Sequence, residues 1–68
     1  MSSSITFRDW ELRLCMEALY EAKEQLRDWD KASIKSLLYR FAINLGLPTT
    51  RERLPKIYAY IFELGEQK

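Results

Sequence analysis

Few side chains in this 68-residue chain do chemistry near neutral pH. Histidine, the commonest acid–base group in that range, is absent, and the single cysteine is Cys15. One thiol makes no intrachain disulfide, and without histidine one chain cannot assemble the usual zinc ligand sets. Cys15 lies within an apolar helical seam, where a thiol is a small buried hydrophobe; a reactive thiolate needs an electropositive, partly open site. The only glycines, Gly46 and Gly65, both fall at helix ends, so there is no glycine-rich loop to cradle phosphate. Glu17, Glu21, Glu24 and Asp28, spaced 4, 3 and 4, line one polar helix face. They read as a solvated face, or as a docking strip for a basic surface. The expectation is a non-enzymatic protein with no catalytic residues, no cofactor and no metal.

A second kind of chemistry is carried by Thr49, Thr50, Arg51, Arg53 and Lys56, polar and basic groups able to reach phosphates or a guanine edge. Ala42 followed four residues later by Gly46 resembles the small-residue and turn-glycine spacing of helix-turn-helix units, over about 30 residues. Two residues depart from that pattern. Glu52 stands where an apolar packing residue belongs, and Pro55 interrupts the would-be recognition helix. The net charge of +1 is low for a DNA-binding domain, although it is uneven. Residues 1–30 hold seven acids and four bases, net −3, and residues 31–68 hold seven bases and three acids, net +4. A small DNA-binding regulator using the basic 46–56 region is therefore the alternative functional reading.

The elements that position these groups are helical. Thr6 reads as an N-cap with Asp9 at the third helical position and Ile5 set to pack on Trp10. Leu12, Cys15, Leu19, Ala22, Leu26 and Trp29 then recur at spacings of 3 and 4, a heptad seam predicting one long helix over about 7–29. Asp30 caps a second helix over about 31–45, with Ile34, Leu38, Phe41 and Leu45 as its seam, widened by Leu37 and Ala42. Gly46, Leu47 and Pro48 form its stop. Thr49 and Glu52 fit a capping box for a third helix over about 50–64, with seam Leu54, Ile57, Ile61 and Leu64 and Gly65 as its stop; Pro55 kinks it or delays its regular part to about 55–64, after a first turn near 50–54. The expected architecture is all-α: a single three-helix domain over 6–65, after a polar lead (1–5) and before a short tail (66–68). A core this small is near the limit of independent folding, so homodimerisation is expected to complete it. The lead lacks a basic and then apolar signal pattern, and no stretch approaches the ~20 apolar residues that span a bilayer. Together with the lone cysteine, this predicts a cytoplasmic protein without membrane contact.

Apolar residues off the three seams point to function. Phe7, Trp10 and Leu14 form a second stripe on the first helix, Tyr39 and Ile43 sit on the far side of the second, and Tyr60 faces away from the third seam. Contiguous exposed apolar patches mark interfaces, where aromatic side chains are enriched. These six residues are expected to bind a protein partner, with Trp10 as the anchor, making the chain an adaptor or regulator. The plainer reading folds them into the domain's own core or leaves them scattered at the surface.

Overall fold

The computed structural model describes residues 6–64, which form four α-helices and no strand. These are α1 (Asp9–Ala22), α2 (Lys31–Leu45), α3 (Leu47–Arg53) and α4 (Pro55–Phe62), with a 3-10 turn at Lys23–Gln25. The all-α expectation holds. The three-helix expectation does not, for reasons that lie in the connections.

α1 starts later and stops earlier than the seam predicts. Its N-cap is Arg8, whose backbone N–H donates to Glu11 Oε1 at 2.7 Å, in place of Thr6 with Asp9. Ile5 lies outside the described residues. At the other end, a helix running to Trp29 would leave only Asp30 to reverse the chain, and a helical hairpin needs about two to five connecting residues. The last seven residues of the predicted helix supply that connection. Lys23–Gln25 tighten into the 3-10 turn, Leu26 leaves helical geometry (φ −89°, ψ 77°), and the Trp29 N–H donates to the Leu26 carbonyl. Lys31 Nζ reaches back 2.9 Å to Glu24, tying the two ends of the connection together.

α2 follows its local signals. Asp30 accepts the Ser33 N–H at 2.7 Å, and Gly46, at φ 103°, donates to the carbonyls of Ala42 and Ile43. The chain then re-enters a helix at once. Leu47 opens α3 with Pro48 in its first turn, where a missing N–H breaks no helical bond. Thr49 is therefore inside α3 and is not its cap. Pro55 begins α4, at the delayed start the sequence allows, and the residues before it form a separate helix, α3, not a kinked first turn. The residue before a proline is driven out of helical geometry, and Leu54 takes φ −130°, ψ 62° with its side chain buried in the core. α4 closes on Glu63 in the left-handed region (φ 54°). Gly65, the predicted stop, lies outside the described residues.

α2 is the central helix. α1 runs antiparallel beside it, bringing Leu12 near Phe41 and Leu19 near Ile34, while α4 packs against both helices and α3 packs against α2 and α4. The core is Leu12 and Met16 from α1, Ile34, Leu38, Ala42 and Leu45 from α2, Leu54, and Ile57 and Ile61 from α4. Thr50 is the buried polar member. Its Oγ1 donates to the Gly46 carbonyl at 3.0 Å and lies 3.4 Å from that of Ala42. On α1 the core differs from the predicted seam. Met16 is wholly buried, Cys15, Leu19, Ala22 and Leu26 are half-buried, and Trp29 is exposed. α4 packs on the Tyr20 side of α1, and Leu19 and Leu26 of the seam line the opposite, open side.

Candidate protein-binding surfaces

The six residues singled out in the sequence do not form one patch. Phe7, Trp10, Leu14, Tyr39 and Ile43 are exposed, and Tyr60 is not. Tyr60 packs against the core with its ring edge-on to Tyr20 at 5.6 Å. Lys23 and Lys35 each hold their ammonium 5.3 Å from its ring centroid. Its hydroxyl is buried without a hydrogen-bond partner among the described residues. Tyr60 is thus a packing residue of the α1–α2–α4 junction, drawn in by Tyr20, and does not offer a hydroxyl at an interface rim.

Three surfaces remain. The first is the open side of the α1–α2 hairpin. Leu19 from α1, Leu26 from the connection and Ile34 and Leu37 from α2 line a groove of about 230 Å³, with Trp29 and Ser33 at its margin. Trp29 is 64% exposed and Leu37 41%. Phe41 follows Leu37 by one helical turn and continues the apolar line to a second hollow of about 350 Å³, which it shares with Phe7, Leu12 and the polar Thr6, Asp9 and Asn44. Exposed Trp and Leu beside a nearly all-apolar groove are the features of an interface core, because water gains nothing from wetting such a lining.

The second surface is the α2–α4 side. Tyr39 stands edge-on to Phe62 at 5.6 Å, and Phe62 in turn packs on Tyr58 at 4.7 Å. Ile43, one turn beyond Tyr39, is 48% exposed. The Lys35–Glu63 ion pair, at 2.6 Å, borders the hollow that Tyr39 and Phe62 line. The third is the outward stripe of α1, where Trp10 and Leu14 lie one turn apart and Glu17 and Glu21 continue the same line.

Those carboxylates face the basic half of the chain. Glu17, Glu21 and Tyr20 share a groove of about 300 Å³ with Arg53, Leu54, Pro55, Lys56 and Ile57. No ion pair within 4.0 Å joins the two walls among the described residues, yet each wall lowers the other's field. Of the groups proposed for nucleic acid, Thr50 is buried and committed to backbone carbonyls, Thr49 is half-buried, and Arg53 and Lys56 border an acidic wall. Arg51 is the one that stands exposed outside that groove.

The chemistry of the surface is that of weak ionic ties. Glu24 sits below the ordinary carboxylate value because it accepts a hydrogen bond from Lys31, whose charge adds to the effect. Asp30 is lowered by its bonds to Ser33, and Glu63 by Lys35. Cys15 is half-buried. Among the described residues no three His, Cys, Asp or Glu groups gather as metal ligands, and no helix is long and apolar enough to cross a membrane.

Periodicity assigns Trp29 and Leu37 to the core and the structure exposes both, whereas Phe41, also on the seam, is half-buried and packs against the core. The available signal is the surplus on α2, where Leu37 broadens the Ile34–Leu38–Phe41–Leu45 seam beyond what one neighbouring helix covers. Compared with known proteins, the chain matches no family model, no curated protein and no solved structure.

Proposed function

We propose that this chain is a non-enzymatic protein-binding module, a small adaptor or regulator that works through apolar helix faces. The observation that carries the reading is the apolar groove of the α1–α2 hairpin, with Trp29 and Leu37 exposed at it. Burying large apolar groups stabilises by roughly 25 cal/mol per Å², so a surface of this kind is costly to leave in water and favourable to cover. The Tyr39–Ile43–Phe62 surface lies on the other side of α2, which gives the module two places to hold protein at once. The absence of histidine and the half-burial of the only thiol agree with a role without bond-making.

Affinity capture of the tagged chain from host lysate, with and without nuclease, tests this reading. Protein partners should survive nuclease, fall away for Leu37→Asp or Ile43→Asp, and remain for the double variant Arg51→Ala/Arg53→Ala. Loss of all partners with nuclease and with the arginine variant would overturn it in favour of nucleic-acid binding.

A further inference from the structure

We infer that the groove of the α1–α2 hairpin takes a second copy of this chain, with α1 of each copy lying along α2 of the other; this rests on the protein-binding reading and names the partner. Two observations carry it.

The first is area. The exposed parts of Trp29, Leu37 and Phe7, with the half-buried Leu19, Leu26 and Phe41, amount to roughly 400–500 Å² of apolar surface along one side of the hairpin. A standard interface removes about 800 Å² per partner, a little over half of it apolar, so this side alone supplies the apolar part of such a contact.

The second is charge. α1 holds four acids (Asp9, Glu11, Glu17, Glu21) and one base (Arg13), net −3. α2 holds three bases (Lys31, Lys35, Arg40) and no acid, net +3. A pairing that lays α1 on α1 sets like charge against like. Glu17 and Glu21 face Arg53 and Lys56, and Lys35 is paired with Glu63. The charges left near the open side are therefore Asp9 and Glu11 of α1 and Arg40 of α2, and laying α1 on α2 in a four-helix bundle sets these opposite signs together. That order requires a two-fold axis running along the helices, and such an axis keeps each residue at its own height. Leu12 stands level with Phe41 and Asn44 in the hairpin, which brings Glu11 of one copy level with Arg40 of the other. Both border the apolar side, since Glu11 precedes Cys15 by one turn and Arg40 follows Leu37 by one turn. Arg40 is exposed and makes no ion pair among the described residues.

Sedimentation equilibrium of the full chain tests the inference. The wild type should approach twice the 8.1 kDa chain mass as concentration rises. Leu37→Asp should raise the dissociation constant more than about 100-fold, because it buries an unpaired carboxylate. Trp29→Ala, which trims a ring already exposed and so spares the monomer fold, should raise it about 10-fold. Glu11→Lys and Arg40→Glu should each weaken pairing about two- to fivefold, and the double variant should restore it. A monomer at every concentration, or a dimer indifferent to both Leu37→Asp and Trp29→Ala, overturns the second copy as occupant. A dimer whose charge-swapped double variant is no tighter than the singles overturns the α1-on-α2 order. A monomeric chain whose captured protein partner is lost with Leu37→Asp overturns this inference and leaves the protein-binding reading standing.

Discussion

Leu37 and Leu38 are adjacent, identical in type and on the same helix, yet they belong to different parts of the molecule. Leu38 is 0% exposed between α1, α2 and α4, in contact with the same core as Met16 and Ala42, whereas Leu37 stands at the open groove beside Trp29. One side of the α1–α2 hairpin is closed by α3 and α4, and nothing within the described chain closes the other. The difference teaches that a pair of amphipathic helices can carry more apolar arc than one short chain covers. α3 and α4 together provide 15 helical residues, enough for a single side.

Truncating the two leucines separates the sides most sharply. Leu38→Ala should cost the isolated domain about 2–5 kcal/mol, the usual range for a buried leucine, in a denaturant melt at dilution. Leu37→Ala should cost it less than about 1 kcal/mol, because much of the side chain is already in water. Equal losses would mean that both leucines belong to one core.

The sequence makes α2 legible from end to end because its signals are local: Asp30 bonds Ser33, and Gly46 takes the positive φ that ends the helix. α1 is harder for two physical reasons. Its end is set by the need to reverse the chain before Asp30, which no periodicity within residues 7–29 records. Its inward face is set by where α4 packs, and that choice makes Met16 core and leaves Cys15 half-buried one position away. The same ambiguity hid the open groove, since a seam facing water and a seam facing a core are spelled alike. Phe7, Trp10, Leu14, Tyr39 and Ile43 are exposed as their off-seam positions suggest, while Tyr60 is drawn inward by a ring on another helix. The break at Leu54 was legible only as an interruption at Pro55. That it divides two helices depends on Leu54 turning into the core.

Smaller effects sharpen the contrast at the closed side. Tyr60→Phe removes a buried hydroxyl that has no hydrogen-bond partner among the described residues, so thermal unfolding should show unchanged stability or a gain of up to about 1 kcal/mol. A clear loss would show that the hydroxyl is satisfied after all. Acid should have the mildest effect. Glu24, Asp30 and Glu63 are all lowered by partners that exist only in the fold, so their contribution is fully present above the ordinary carboxylate values of 4.5 and 3.8 and is lost as pH falls through the lowered values. The melting temperature should therefore drop slightly below about pH 4.5. Lys31→Ala and Lys35→Ala should flatten that drop, and an unchanged acid profile in these variants would remove the ion pairs from the account.

The central claim is that the open side of the hairpin is completed by a second copy of the chain. The melting temperature of the wild-type protein as a function of its own concentration tests it most directly, because association with a second copy couples folding to mass action. The account predicts a melting temperature that climbs with concentration for the wild type and stays flat, at the dilute wild-type value, for Leu37→Asp. A wild-type melting temperature independent of concentration would contradict it.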